Sequence, residues 1–167
     1  MNSIVVVDRN WGIGKNNDLL FKLTKDMAFF KEKTMGKIVV MGGNTLLSLP
    51  GQKPLKGRTN IVISDVFKRD DVIMCETMPE LLDILSKYNS EDLFVMGGAM
   101  LYRTLLPYCD TVYATKVDAD GEAQVFYENL DKLDNWSCVY ESEPMEDGPY
   151  TIRFTTYKNS APKPFKE

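Results

Sequence analysis

Histidine is absent from the chain, and its absence removes whole classes of chemistry. Serine or cysteine triads with a histidine base are ruled out, as are histidine-ligated metal sites. Acid–base work falls to Asp, Glu, Lys, Tyr, Cys or bound water. Among the residues present, two glycine pairs stand out. The apolar run Leu93-Phe94-Val95-Met96 is broken by Gly97-Gly98, and Ala99, Met100, Leu101, Leu105 and Leu106 follow at roughly helical spacing until Pro107. Ile38-Val39-Val40-Met41, then Gly42-Gly43, then Asn44 to Leu49 before Pro50, is a near-copy. Glycines between a buried strand and a helix bring bare backbone N–H groups to a helix N-terminus, which favours an anion such as pyrophosphate. The same glycines can also serve tight packing alone. A third feature is Asp26, in the first turn of a helix expected from an N-cap at Thr24 to about Thr34. Phe30 lies four residues on and on the same face. Asp26 reads either as a solvated acid complementing the helix dipole or as a carboxylate in an apolar pocket beside Met27 and Phe30. In the second case its charged form is disfavoured until a hydrogen-bonding or cationic partner arrives.

The elements that must hold these groups follow from the pattern. A length of 167 residues fits one domain with a core of its own, expected over 1–158, with a frayed tail over 159–167 that carries Pro162 and Pro164. Hydrophobic content of 44% and charged content of 26% are those of an ordinary globular chain. A formal charge of −4 argues against nucleic acid as a partner. Three widely spaced cysteines suggest neither a disulfide framework nor a metal knuckle. Asp118-Ala119-Asp120-Gly121 begins like a calcium loop but lacks the later ligands, so it reads as a turn and no metal is expected. No apolar run approaches the ~20 residues of a membrane span; a cytoplasmic monomer is expected.

Ile4-Val5-Val6-Val7 begins the first strand, and Asp8 to Leu23 is a long loop of the kind that often serves as a lid. Further strands are expected at Asn60–Ser64, Val72–Met74 and Thr111–Val117. Thr77-Met78-Pro79-Glu80 has the form of a capping box. Trp136–Tyr140, a turn at Asp147-Gly148 and the alternation Tyr150-x-Ile152-x-Phe154 give an antiparallel hairpin. The fold class is therefore α/β: a single-domain, doubly wound, mostly parallel sheet with an antiparallel C-terminal hairpin, its ligands at the carboxyl ends of the strands.

An ordered set of residues then resembles the dihydrofolate reductase family over nearly the whole chain, and the bacterial, clostridial-type enzymes most. It comprises Trp11-Gly12-Ile13-Gly14-Lys15-Asn16, Asp26 with Phe30, Val40-Met41-Gly42, Arg58-x-Asn60, Val95-Met96-Gly97-Gly98 with Tyr102, Leu105-Leu106-Pro107, and Tyr113-x-Thr115. The resemblance implies hydride transfer from a nicotinamide to dihydrofolate, giving tetrahydrofolate. By resemblance, Asp26 holds the polar edge of the pterin and Thr115 supports it. Ile4, Val5, Met27, Phe30, Leu49, Leu55 and Met96 line the pterin and benzoyl pocket, and Arg58 grips the glutamate α-carboxylate. Tyr102, Val6, Ile13 and Leu19 surround the nicotinamide under the Asp8–Leu23 lid, and Gly42, Thr45, Gly97, Gly98 and Ala99 meet the pyrophosphate.

The chain departs from the family in four main places. Gly43 and Asn44 stand where basic residues usually follow Met-Gly. Ser64 is kept but Asp65 takes a position that normally helps hold the adenosine 2′-phosphate, and Met100 replaces an arginine of some relatives. These changes imply relaxed or reversed preference from NADPH toward NADH, unless Lys53, Lys68, Arg69 or Arg103 restores the lost charge. Gln124-Val125 replaces an Asp-Thr pair that steadies the lid. Leu20-Phe21 for the usual Pro-Trp is a tolerated change. Two other readings stay open: a divergent pterin or riboflavin-pathway reductase, and a non-catalytic folate-binding member of the family.

Overall fold

The computed structural model describes residues 1–16 and 18–166; the expectations touching Asn17 in the lid and Glu167 in the tail lie outside the described residues. In chain order the strands are β1 (Asn2–Val7), β2 (Gly12–Gly14), β3 (Ile38–Gly42), β4 (Thr59–Ile63), β5 (Ile73–Cys75), β6 (Leu93–Val95), β7 (Thr111–Val117), β8 (Val125–Phe126), β9 (Trp136–Glu141), β10 (Met145–Asp147) and β11 (Tyr150–Asn159). The α-helices are α1 (Thr24–Thr34), α2 (Gly43–Ser48), α3 (Met78–Leu85) and α4 (Ala99–Leu105).

One sheet runs β10-β11-β7-β1-β6-β3-β4-β5, with β9 also paired to β11. From β7 across to β5 every pairing is parallel, and β11, β9 and β10 add the antiparallel end. The parallel strands are the β-branched runs. Val39, Val40, Ile61, Val62, Leu93, Val95 and Val112 are buried with helices or loops covering both faces. On β9 only Trp136 is buried, because its outer edge has no neighbouring strand. The doubly wound α/β class expected from the sequence is the observed one; most strand boundaries shift by one or two residues, while β11 runs five residues past Phe154 and β10 is an additional strand.

Helix α3 begins with the expected box: Thr77 Oγ1 accepts from the Glu80 N–H at 3.3 Å. Glu80 reaches back to the N–H of Glu76 at 3.1 Å, one residue before the cap. Helix α1 does not begin as expected. Leu23 occupies the cap position, Thr24 is already helical, and no local side chain caps the turn.

The tail also differs from expectation. Asn159 ends β11, the Lys163 N–H donates to the Pro107 carbonyl at 2.9 Å, and Phe165 stacks on Tyr108 with centroids 6.0 Å apart. An apolar ring with a matching aromatic surface outweighs the two prolines beside it. Cys75 and Cys109 are buried and Cys138 on β9 is exposed, all three as free thiols. Among the described residues no helix is long and apolar enough to cross a membrane.

Candidate active site

Asp26 stands in the first turn of α1, half-buried, with the Thr115 hydroxyl of β7 donating to its Oδ1 at 2.7 Å. Burial pushes the Asp26 carboxyl above the usual range, the Thr115 hydroxyl pulls it down, and the neighbouring Asp147 carboxylate pushes it up again. Asp26 is thus half-buried and held by Thr115 rather than freely solvated. Met27, expected beside it in the pocket, is 67% exposed.

Asp147 is the group the sequence did not reveal. Its Oδ1 accepts the Thr24 N–H at 3.0 Å, and its Oδ2 accepts those of Lys25 at 2.8 Å and Asp26 at 3.3 Å. A helix leaves its first N–H groups without partners, and here a carboxylate 121 to 123 residues along the chain satisfies three of them. No local pattern could announce a cap supplied from so far away.

Tyr102 on α4 donates its phenol to the Ile4 carbonyl at 2.8 Å and meets Tyr127 edge-on at 5.1 Å. Burial, and then the Asp26 charge, keeps that phenol protonated. Phe30, Leu49, Leu55 and Met96 gather on one apolar cluster built from Val39, Met41, Leu46 and Val62. Ile4 and Val5 are buried in β1, Ile13 lies against the main core, and Val6 packs with Leu23, Val117 and Ile152. Leu19 and Met100 are each 77% exposed.

Arg58 lies at the far end of α1, donating to the Thr34 hydroxyl at 3.2 Å and the Lys56 carbonyl at 3.0 Å. Its loop is tied by the buried side chain of Asn60. The Asn60 Oδ1 accepts from Leu55 N–H at 2.9 Å, and its amide donates to the carbonyls of Leu55 and Arg58, both at 3.0 Å.

The two Met-Gly-Gly turns meet. The Gly42 N–H donates to the Gly97 carbonyl at 2.9 Å, and a Cβ on Gly97 would stand 3.5 Å from Thr45 Oγ1. Gly97 has φ +127°, a conformation that a side chain would strain. Gly98 precedes α4, which opens at Ala99 with no side-chain cap. A Cβ on Gly43 would come within 2.8 Å of Ser64 Oγ and 2.9 Å of the Phe67 ring. Asn44 and Asp65 are exposed, and Ser64 Oγ accepts from Val66 N–H at 3.2 Å. A small cavity of about 210 Å³ lies beside Ala99 and Tyr102.

The lid is braced at its root. The buried carboxylate of Asp8 accepts N–H groups of Asn10 at 2.8 Å, Gly12 at 2.7 Å and Gly121 at 3.0 Å. Strands β2 and β8 then pair antiparallel, where local sequence carries only loop signals. Beyond it the Gln124 side-chain carbonyl accepts the Asn16 N–H at 2.9 Å. A larger concavity of about 420 Å³ lies elsewhere, and its cations are already paired: Arg9 with Asp118, Lys116 with Asp131, Arg153 with Glu141. Among the described residues there is no metal-binding cluster.

Comparison with known proteins agrees with this geometry. The family described as "Dihydrofolate reductase" matches residues 1–159. The chain is 36% identical over 166 residues to the dihydrofolate reductase of Bacillus subtilis, covering 95% of each. It is 35% identical over 175 residues to the bifunctional dihydrofolate reductase-thymidylate synthase of Daucus carota, of whose length it spans 33%. Among solved structures it is similar to dihydrofolate reductase from Enterococcus faecalis complexed with NADP(H), at 29% identity and a TM-score of 0.81 over 95% of each chain.

Proposed function

Because the chain belongs to the dihydrofolate reductase family, we propose that it reduces dihydrofolate to tetrahydrofolate with a reduced nicotinamide dinucleotide. The glycine cradle fits such a cofactor. Gly97 holds φ +127°, which favours glycine, and with Gly98 it leaves bare backbone ahead of α4 where a pyrophosphate can approach. Gly42, Thr45, Gly97, Gly98 and Ala99 are proposed to hold the phosphates, with Tyr102, Val6, Ile13 and Leu19 around the nicotinamide. When bound, the nicotinamide supplies the hydride.

The chain's own part is positioning. Asp26 is proposed to accept hydrogen bonds from the amino group and ring nitrogen at the pterin's edge, which favours the protonated ring and fixes its face. Water delivers the proton. Ile4, Val5, Phe30, Leu49, Leu55 and Met96 line the ring and benzoyl pocket, and Arg58 takes the glutamate α-carboxylate. The observation that carries this reading is the 2.7 Å contact of Thr115 with a half-buried Asp26. The test is loss of reduced-nicotinamide absorbance with dihydrofolate, beside Asp26→Asn. Turnover should fall on the order of a hundredfold or more in the variant. An unaffected variant, or no turnover in the wild type, overturns the proposal.

The preferred dinucleotide is proposed to be NADH, or NADH and NADPH alike. Gly43, Asn44, Asp65 and Met100 offer no cation to a 2′-phosphate, and Asp65 adds a carboxylate. Of the lysines and arginines that could compensate, Arg69 is engaged elsewhere, in a two-pronged pair with Asp71 at 2.6 and 2.9 Å. Losing two charge-assisted contacts weakens NADPH by on the order of a hundredfold or more. The same assay run with both cofactors decides it, and clearly faster or tighter use of NADPH refutes it. The protein is proposed to act as a cytoplasmic monomer, and a sedimentation mass of two chains would contradict the monomer.

A further inference from the structure

We propose that Asp147 is a positioning residue for Asp26: its carboxylate receives the first three backbone N–H groups of α1, fixes the turn that carries Asp26 and keeps a second negative charge beside it. The inference rests on the reading of Asp26 as the carboxylate that binds the reactive ring. Asp147 closes β10, where it pairs with Tyr150 across the terminal hairpin, and it is only 4% exposed. Both of its oxygens are spent on α1, one on Thr24 and the other on Lys25 and Asp26. The helix has no side-chain cap of its own, since Leu23 offers only its backbone carbonyl, taken by the Met27 N–H. The hairpin and the catalytic turn are thus joined by one side chain.

The negative charge matters at the same place. The groups acting on Asp26 are the Thr115 hydroxyl from β7 and the Asp147 carboxylate from β10. From α4 comes Tyr102, whose phenol stays neutral and donates to the Ile4 carbonyl. Asp147 therefore acts with burial to disfavour the ionised form of Asp26, while Thr115 opposes both. Removing its charge while keeping one of its two acceptor oxygens makes Asp26 easier to ionise.

The test is a carboxyl-carbon NMR titration of Asp26, its signal assigned with Asp26→Asn, in the wild type and in Asp147→Asn. The midpoint should move to lower pH in the variant; a midpoint that stays or rises overturns the proposal. If Asp147→Asn does not fold, Asp147→Ser keeps an acceptor and carries the same titration. In Asp147→Ala the amides of Thr24, Lys25 and Asp26 should exchange about fivefold faster or more, and unchanged exchange also overturns it. Neither readout needs turnover. A wild type that fails to reduce dihydrofolate defeats the functional reading alone, and an unmoved midpoint in an active chain defeats this inference alone.

Discussion

Asp26 is held where it is less stable for being charged. Its folded-state carboxyl titrates above the ordinary 3.8, so the folded chain binds that proton more tightly than the unfolded one. Stability contributed this way is present below the ordinary value, declines as pH rises through the folded value, and stays lost above it. Asp26→Asn keeps a partner for Thr115 without the charge and should be more stable than the wild type at neutral pH. The difference should shrink at or below pH 3.8. Urea unfolding at the two pH values measures it, and a variant no more stable at neutral pH contradicts it. At Gly43 the obstacle is space. With Ser64 Oγ 2.8 Å and the Phe67 ring 2.9 Å from a Cβ there, Gly43→Arg should lower stability by about 1–3 kcal/mol and leave the NADPH-to-NADH ratio unimproved. Adding Phe67→Ala should recover only part of that loss, because Ser64 Oγ still stands 2.8 Å from the Cβ. Gly43→Arg restoring NADPH preference on its own would refute the packing argument. The sequence shows the missing cation; only the fold shows that an aromatic ring has taken its room.

At the scale of elements, the sequence carried most of the architecture because hydrophobic runs and glycine breaks are local signals. The Met-Gly-Gly turns, the parallel strands and the α3 cap are where their residues put them. What escaped was supplied from a distance: the Asp147 cap on α1, the β2–β8 ladder and the Gly121 N–H that joins two local ones on Asp8. Asn60 belongs between these cases, because its position beside Arg58 was legible but its grip on the loop was not. Asn60→Ala should destabilise the protein by about 2–4 kcal/mol through three lost hydrogen bonds. It should also raise KM for dihydrofolate more than it lowers kcat, because Arg58 loses its anchored loop. A selective loss of kcat would place the effect elsewhere. The lid contact gives a second element-level expectation. Gln124 meets Asn16 N–H as a neutral acceptor at 2.9 Å, and Gln124→Asp would make that bond charge-assisted. Turnover should rise with little change in binding; an unchanged turnover number counts against a poorly held lid.

At the scale of the whole molecule, the sheet joins two differently built ends. The parallel side carries the glycine turns, and the antiparallel side reaches back through β10 to α1. Composition and length gave a single folded unit, but the docked tail was hidden because prolines and lysines mask the one aromatic ring, Phe165, that holds it. Burial also sorts the three thiols. Cys75 is pushed up to about 11 and Cys109 to about 12, chiefly by burial, whereas Cys138 faces solvent on the open edge of β9. A maleimide should therefore take up one equivalent on the native protein and three after denaturation; two or more on the native protein would mean that the core opens. The consequence is an optical handle at a useful spot. A dye on Cys138 rides the strand that pairs with β11, and β11 turns back into the arm that ends at Asp147. Its emission can then register whether β9 stays paired with β11 at Tyr157, on a strand that carries neither Asp26 nor Thr115.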